Sequence, residues 1–158
     1  MRVLYWSPLF WPYIGGLENF AAQLVPALRQ RGYEILVATS HDSLDLPDDE
    51  EFKGIRIRRF HFRDALGEGR LDRLMTLRQE VALLKREFAP SLIHVNANFS
   101  VADCFHVLTA HAYPAPTVIT LHNQWGDERK EADTTLAQAM RNADWVTCVS
   151  QASLTQTR

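Results

Sequence analysis

A chain of 158 residues, 46% hydrophobic and 23% charged, has the make-up of one globular domain with a proper core. Its formal net charge of −2 gives no support for nucleic-acid binding, which shows a strongly basic face. No apolar run approaches the roughly 20 residues that span a bilayer, and Pro8 and Pro12 interrupt the apolar stretch that a secretory leader would need.

Taken in chain order, the elements alternate. Val3–Ser7 reads as a buried strand, and Leu17, Phe20, Ala21, Leu24 and Leu28 recur at helical spacing over 16–31. Pro26 falls inside that helix and is expected to kink it. Gly32 stands where the helix should stop, after Arg29 and Arg31. A strand follows at Glu34–Ser40. The segment 42–51 carries six acids and no base and is expected to be a solvated loop.

Residues 55–62 form the next strand, where the apolar set slips from 55 and 57 to 60 and 62, as a bulge or an edge strand would cause. Leu74, Leu77, Val81, Leu84 and Phe88 give a helix over Leu71–Phe88 one buried face. Leu92–Asn96 is a strand, and Ser100 with Asp103 resembles a capping box opening a helix over 101–112. Strands at 118–122 and 145–150 flank a helix over 131–142. Short apolar strands alternating with helices predict a three-layer, doubly wound α/β domain with a mainly parallel sheet. Cys104 and Cys148 lie in apolar segments and are expected as buried free thiols, which suits a reducing, cytoplasmic setting.

In such a sheet ligands bind beyond the carboxyl ends of the strands, and the residues there are polar where a core should be apolar. Gly15-Gly16 sits between the first strand and the first helix. The pair either makes a tight connection or lets the backbone approach an anion at the helix N-terminus. His122 closes an apolar strand, so its imidazole projects at the rim. There it can bond a sugar hydroxyl or move a proton, or else simply cap the strand. Asn96 and Asn98 can read hydroxyls or make a turn. Tyr13 lines the crevice or packs its own loop, and Glu18 suits the helix dipole. Arg56, Arg58, Arg59, Arg63, Arg70 and Arg73 form a basic stretch read mainly as solvated, with weak contact to an anionic membrane surface as the lesser reading.

Other chemistries lack their residues. His106 and His111 are spaced for different helix faces, and the six histidines are expected to make no metal site. The dinucleotide, Walker and nucleophile-elbow motifs are all missing.

Five segments match one family in order: Pro12-Tyr13-Ile14-Gly15-Gly16-Leu17-Glu18, Arg31-Gly32-Tyr33-Glu34-Ile35, Ile93-His94-Val95-Asn96, 118–123 with His122-Asn123, and 143–150 ending in Ser150. The chain resembles the N-terminal domain of a retaining GT-B glycosyltransferase of group 1, glycosyltransferase family 4. The resemblance implies one half of a GT-B fold over residues 1–150, with 151–158 as a tail or interdomain linker and the nucleotide-sugar domain absent. It implies transfer of a sugar from a nucleotide-sugar donor to a sugar or lipid-linked acceptor, with no cofactor and no metal. Gly15 and Gly16 would then face the donor diphosphate, and His122 would act near the reaction centre. Tyr13, Asn96, Asn98, Phe99, Asn123 and Ser150 would line the acceptor side of the cleft. The resemblance also implies a cytoplasmic enzyme, by the lesser reading peripheral at the inner membrane face. The missing domain would pack on the sheet's carboxyl edge, and the fragment alone should be catalytically silent.

Two positions depart from the family's pattern: Asn123 stands where Asp is frequent after the fifth-strand histidine, and Asn96 where a second His is frequent. The alternatives are a stand-alone module binding a sugar or lipid head group, and half of a sugar-nucleotide epimerase. An exposed apolar carboxyl edge favours the enzyme; a closed polar edge favours the module.

Overall fold

The computed structural model describes residues 1–67, 71–98, 100–122 and 135–150. The first strand, β1 (Arg2–Trp6), is built from residues that want burial on both faces, and it lies in the middle of the sheet. Around it are α1 (Gly16–Gln30), β2 (Glu34–Ser40), β3 (Asp49–Phe52), β4 (Ile55–Phe60), α2 (Phe62–Gly67) and α3 (Leu71–Phe88). The remainder are β5 (Leu92–Ala97), α4 (Val101–Leu108), a 3₁₀ turn at Ala110–Ala112, β6 (Thr117–Leu121), α5 (Thr135–Arg141) and β7 (Trp145–Cys148). The strand order is β3-β4-β2-β1-β5-β6-β7, and every pairing is parallel except β3 with β4. The chain winds outward from β1 in one direction and then returns to pair β5 on its other side. That reversal opens a crevice at the carboxyl ends of β1 and β5.

Each face of the sheet has its own core. Val3, Tyr5, Ile35, Val37, Ile55 and Ile57 pack under Ala21 and Val25 of α1. Leu4, Trp6, Leu36, Ala38, Phe60, Ile93, Val95 and Ile119 form the other core with Leu77, Val81 and Phe88 of α3 and Phe105 of α4. Trp6 is fully buried there, and its indole N–H donates to Ala102 O at 3.0 Å. Helix α1 runs through Pro26 as one element and stops at Gly32, whose φ of +85° is the left-handed turn that glycine adopts without strain. The amide of Ser100 donates to Asp103 Oδ2 at 2.9 Å, so the expected cap of α4 is present.

Several expectations are corrected. The helix expected over 101–112 ends at Leu108 and continues as the short 3₁₀ turn. The acidic segment is not all loop, because 49–52 pairs antiparallel with β4. The connecting Lys53 and Gly54 both have positive φ, as a two-residue hairpin requires. Strand β4 is therefore not an edge, and its register with β2 runs unbroken from Leu36↔Arg56 to Ser40↔Phe60. Its apolar slip reflects two covered faces: Ile55 and Ile57 enter one core, Phe60 the other, and Phe62 already belongs to α2.

Arg59 is not solvated but 1% exposed. Its guanidinium donates to Trp11 O at 2.8 Å and Pro47 O at 3.1 Å, and lies 2.7 Å from Glu50 Oε2. Arg58 pairs with Asp49, and Arg63 with Asp42 at 3.2 Å, so acids of the same region neutralise much of the basic stretch. Both cysteines are free but half-buried. Among the described residues no helix is long and apolar enough to cross a membrane.

Candidate functional site at the carboxyl edge of the sheet

The loop after β1 delivers Gly15 as the N-cap of α1 in extended backbone, with φ −169° and ψ 177°. Neither Gly15 nor Gly16 has positive φ, so the expected sharp turn does not demand glycine. What distinguishes Gly16 is the space in front of it. A Cβ built there meets no heavy atom within 4 Å. At Gly15 the same atom would overlap the carboxylate of Glu18, folded back over the helix N-terminus. An acid at that position is favoured by the unpaired N–H groups and the positive dipole end.

His122 follows β6 directly and is half-buried. Its ring lies edge-on to Phe20 of α1 with centroids 5.2 Å apart, so the end of β6 and the first turns of α1 share one site. Burial lowers the His122 pKa, and the Glu18 carboxylate partly offsets this. The imidazole is neutral at pH 7, able to donate one hydrogen bond and accept another. Its Nε2 is shielded from solvent and has no hydrogen-bond partner among the described residues. Glu18, Phe20 and His122 thus stand together, with Gly15 beneath the Glu18 carboxylate.

Beneath His122 runs a polar row that the sequence reading missed. His94 Nε2 and Thr120 Oγ1 are 2.8 Å apart, as are Thr120 Oγ1 and Thr147 Oγ1, which links β5, β6 and β7. Tyr5 closes the row edge-on to His94 at 5.1 Å. Burial, then the neighbouring His122, pushes His94 down to about 4. Period-2 counting from His122 back to Thr120, and across the parallel strands to 94 and 147, is the signal that would have found these residues.

Tyr13, Asn96 and Asn98 separate from His122. Tyr13 turns to the loop after β2, where its hydroxyl accepts from the amides of Asp42 at 3.1 Å and Leu44 at 3.3 Å. Asn98 lines a cavity of about 270 Å³ with Pro8, His41, Asp42, Arg63 and Ser100. Asn96 is neither in a turn nor on the cleft surface: it is a strand residue, fully buried, and its amide donates to Ser7 Oγ at 3.3 Å. It holds the β1 loop from below. Ser150 is exposed just beyond β7. Phe99 and Asn123 lie outside the described residues. The histidines, expected to make no metal site, do cluster: His41 and His61 stack with centroids 4.1 Å apart beside Asp48.

A mainly parallel seven-stranded sheet with helices on both faces and a switch point between β1 and β5 defines a Rossmann-like domain. The chain belongs to Glycosyltransferase Family 4, whose family model matches residues 14–158. Among solved structures it is similar to HepE of Anabaena in complex with UDP, at 22% identity and TM-score 0.68, over 99% of this chain and 40% of that one. It is also similar to sucrose-phosphate synthase of Thermosynechococcus elongatus, at 16% identity and TM-score 0.63, over 92% of this chain and 42% of the synthase. A shorter chain of that synthase matches at 15% identity and TM-score 0.68, with 100% and 81% covered. The fold is that of GT-B glycosyltransferases, and the chain spans about two fifths of the length of HepE and the longer synthase chain. No curated protein matches it.

Proposed function

We propose that this chain forms the acceptor-side half of an enzyme that moves a sugar from a nucleotide-sugar donor to an acceptor with retention of configuration. The observation that carries the reading is His122, whose Nε2 has no hydrogen-bond partner among the described residues, beside the first turns of α1 and the open space in front of Gly16. A diphosphate entering in front of Gly16 displaces the Glu18 carboxylate and meets the same N–H groups and dipole. Negative charge growing on the leaving diphosphate is stabilised there by groups already oriented. The neutral His122 holds a hydroxyl of the donor sugar, and the cavity lined by Asn98 receives the acceptor. HepE is in complex with UDP, which supports a nucleoside diphosphate as the leaving group.

Ile14 is 90% exposed, Phe20 40% and Val149 51%, all at the carboxyl edge. Apolar surface there is what a second, nucleotide-binding domain covers, and it favours the enzyme over a stand-alone module. The 158-residue chain alone turns over no donor, because one wall of the cleft cannot exclude water.

The test is a ¹H–¹⁵N NMR titration of the chain with UDP. The amides of Gly15, Gly16, Glu18 and His122 should shift together and saturably. Gly16→Val fills the open space without disturbing the backbone, and it should weaken binding at least about tenfold, or about 1.4 kcal/mol. Equal affinity in Gly16→Val with an unchanged spectrum elsewhere would remove the phosphate cradle.

A further inference from the structure

A second cluster of chemistry-bearing side chains lies at the carboxyl ends of β2 and β4, beside the cavity that Asn98 lines. Strands β2 and β4 are parallel neighbours with Ser40 opposite Phe60. The next residue on each is a histidine, so the register sets His41 beside His61 although twenty residues separate them. Their rings stack at 4.1 Å with planes 9° apart. Asp48 Oδ1 sits at the mouth of the pair, 2.8 Å from His41 Nε2 and 3.7 Å from His61 Nε2.

We propose that His41, His61 and Asp48 bind a divalent transition-metal ion of the Zn²⁺ class. Donor atoms about 2.0–2.1 Å from a tetrahedral zinc lie about 3.3–3.4 Å from one another. The two measured N···O separations bracket that spacing, and one ligand atom from each of the three residues lies within 4.8 Å of the others. Two imidazoles and a carboxylate are a donor set that zinc accepts, and three protein ligands leave one coordination position free.

The backbone holds the ligand segments in place, and one imidazole turns out of the stack on binding so that both in-plane lone pairs meet at the ion. The His41 amide donates to Phe60 O at 2.9 Å, and the Arg59 amide to Asp48 O at 2.7 Å, which ties both ligand segments to β4. His61 Nδ1 lies 3.3 Å from Asp64 Oδ2. A carboxylate on that nitrogen fixes the ring and leaves Nε2 as the ligating atom. The surrounding cavity, about 740 Å³, is lined by Asp42, Asp45 and Asp64 as well as the ligands, and by Arg63 as the basic residue. Asp42 is paired with Arg63 at 3.2 Å. The surplus of acid favours a cation.

The test is calorimetric titration of the untagged, chelator-treated chain with Zn²⁺, and with Co²⁺ as an absorbing probe. One saturable site should appear, with a tetrahedral Co²⁺ spectrum and a rise in Tm. His61→Ala and Asp48→Asn replace exposed side chains and should abolish the site while the NMR spectrum stays folded. His41→Ala should do the same; if it fails to fold, the other two variants still decide the matter. Asp64→Asn should weaken binding about tenfold or more through the His61 ring. His111→Ala should leave it unchanged. Zn²⁺ affinity that is equal in His61→Ala and Asp48→Asn, or a wild-type chain with no more Zn²⁺ uptake than the His41→Ala/His61→Ala double variant, would overturn the proposal. UDP binding at Gly16 is read separately, so failure of one site leaves the other standing.

Discussion

His122 shows how a single position acquires its properties from neighbours distant in sequence. Phe20 shields its ring, burial disfavours the charged form, and Glu18 opposes that effect from the first turn of α1. A neutral imidazole whose Nε2 has no partner among the described residues is a hydrogen-bonding group, so under the proposed function its removal should act on the reacting sugar more than on the acceptor. Under the proposed function, in a two-domain enzyme that contains this chain, His122→Ala should lower kcat about 10²- to 10⁴-fold with little change in acceptor KM. Steady-state rates against both substrates check this, and normal turnover would reduce His122 to a strand cap. His122 stands out in the sequence because it ends an apolar run. Asn96 does not show its role there: an amide that looks like a turn former is a fully buried brace for Ser7.

At the scale of elements, the β3–β4 hairpin is where sequence patterning and structure part company. Six acids in ten residues look like a solvated loop. The strand forms because β4 offers an unpaired edge and because buried Arg59 draws Glu50, Pro47 and Trp11 toward it. Its guanidinium donates to two carbonyls and forms an ion pair with one carboxylate. Arg59→Ala would strip the half-buried Trp11 carbonyl, the Pro47 carbonyl and Glu50 of their partner, and should cost about 2–3 kcal/mol, read as a lower urea midpoint with an unchanged m-value. Gly32 carries the opposite kind of information, local and legible. Its φ of +85° means that Gly32→Ala should destabilise by about 1 kcal/mol through backbone strain alone, measurable in the same denaturation experiment.

For the whole molecule, buried bases set the response to pH. Lys85 is fully buried, its ammonium donates to His106 O and Thr109 O at 3.2 Å, and burial pushes its pKa down to about 7 from 10.5. Between those values the unfolded chain binds more protons than the folded one, so stability rises as pH rises from about 7 to 10.5, by up to about 1.4 kcal/mol per unit. His94, held down to about 4, and His106, held well below 6.5, act in the same sense at lower pH. Stability should fall as pH drops from 6.5 through 4. Denaturation curves at a series of pH values should therefore show two rising arms. Lys85→Met should flatten the alkaline arm and keep the His94 part of the acid arm, while the His106 part loses the share that the Lys85 charge causes; an alkaline slope unchanged in that variant would mean that another group carries it.

The sequence by itself determined the alternation of strands and helices, the sheet's parallel character, the stop of α1 at Gly32 and the cap of α4 at Ser100. These depend on hydrophobic period and on turn chemistry, which act between residues a few positions apart. It also supplied the family, through short motifs in the right order. Only the tertiary structure decided which polar residues share a site. Glu18 reaches His122 because α1 packs across β1, and His41 meets His61 because β2 and β4 run parallel in a particular register. Contacts of that kind are set by strand order and helix packing, which no local window of the chain contains.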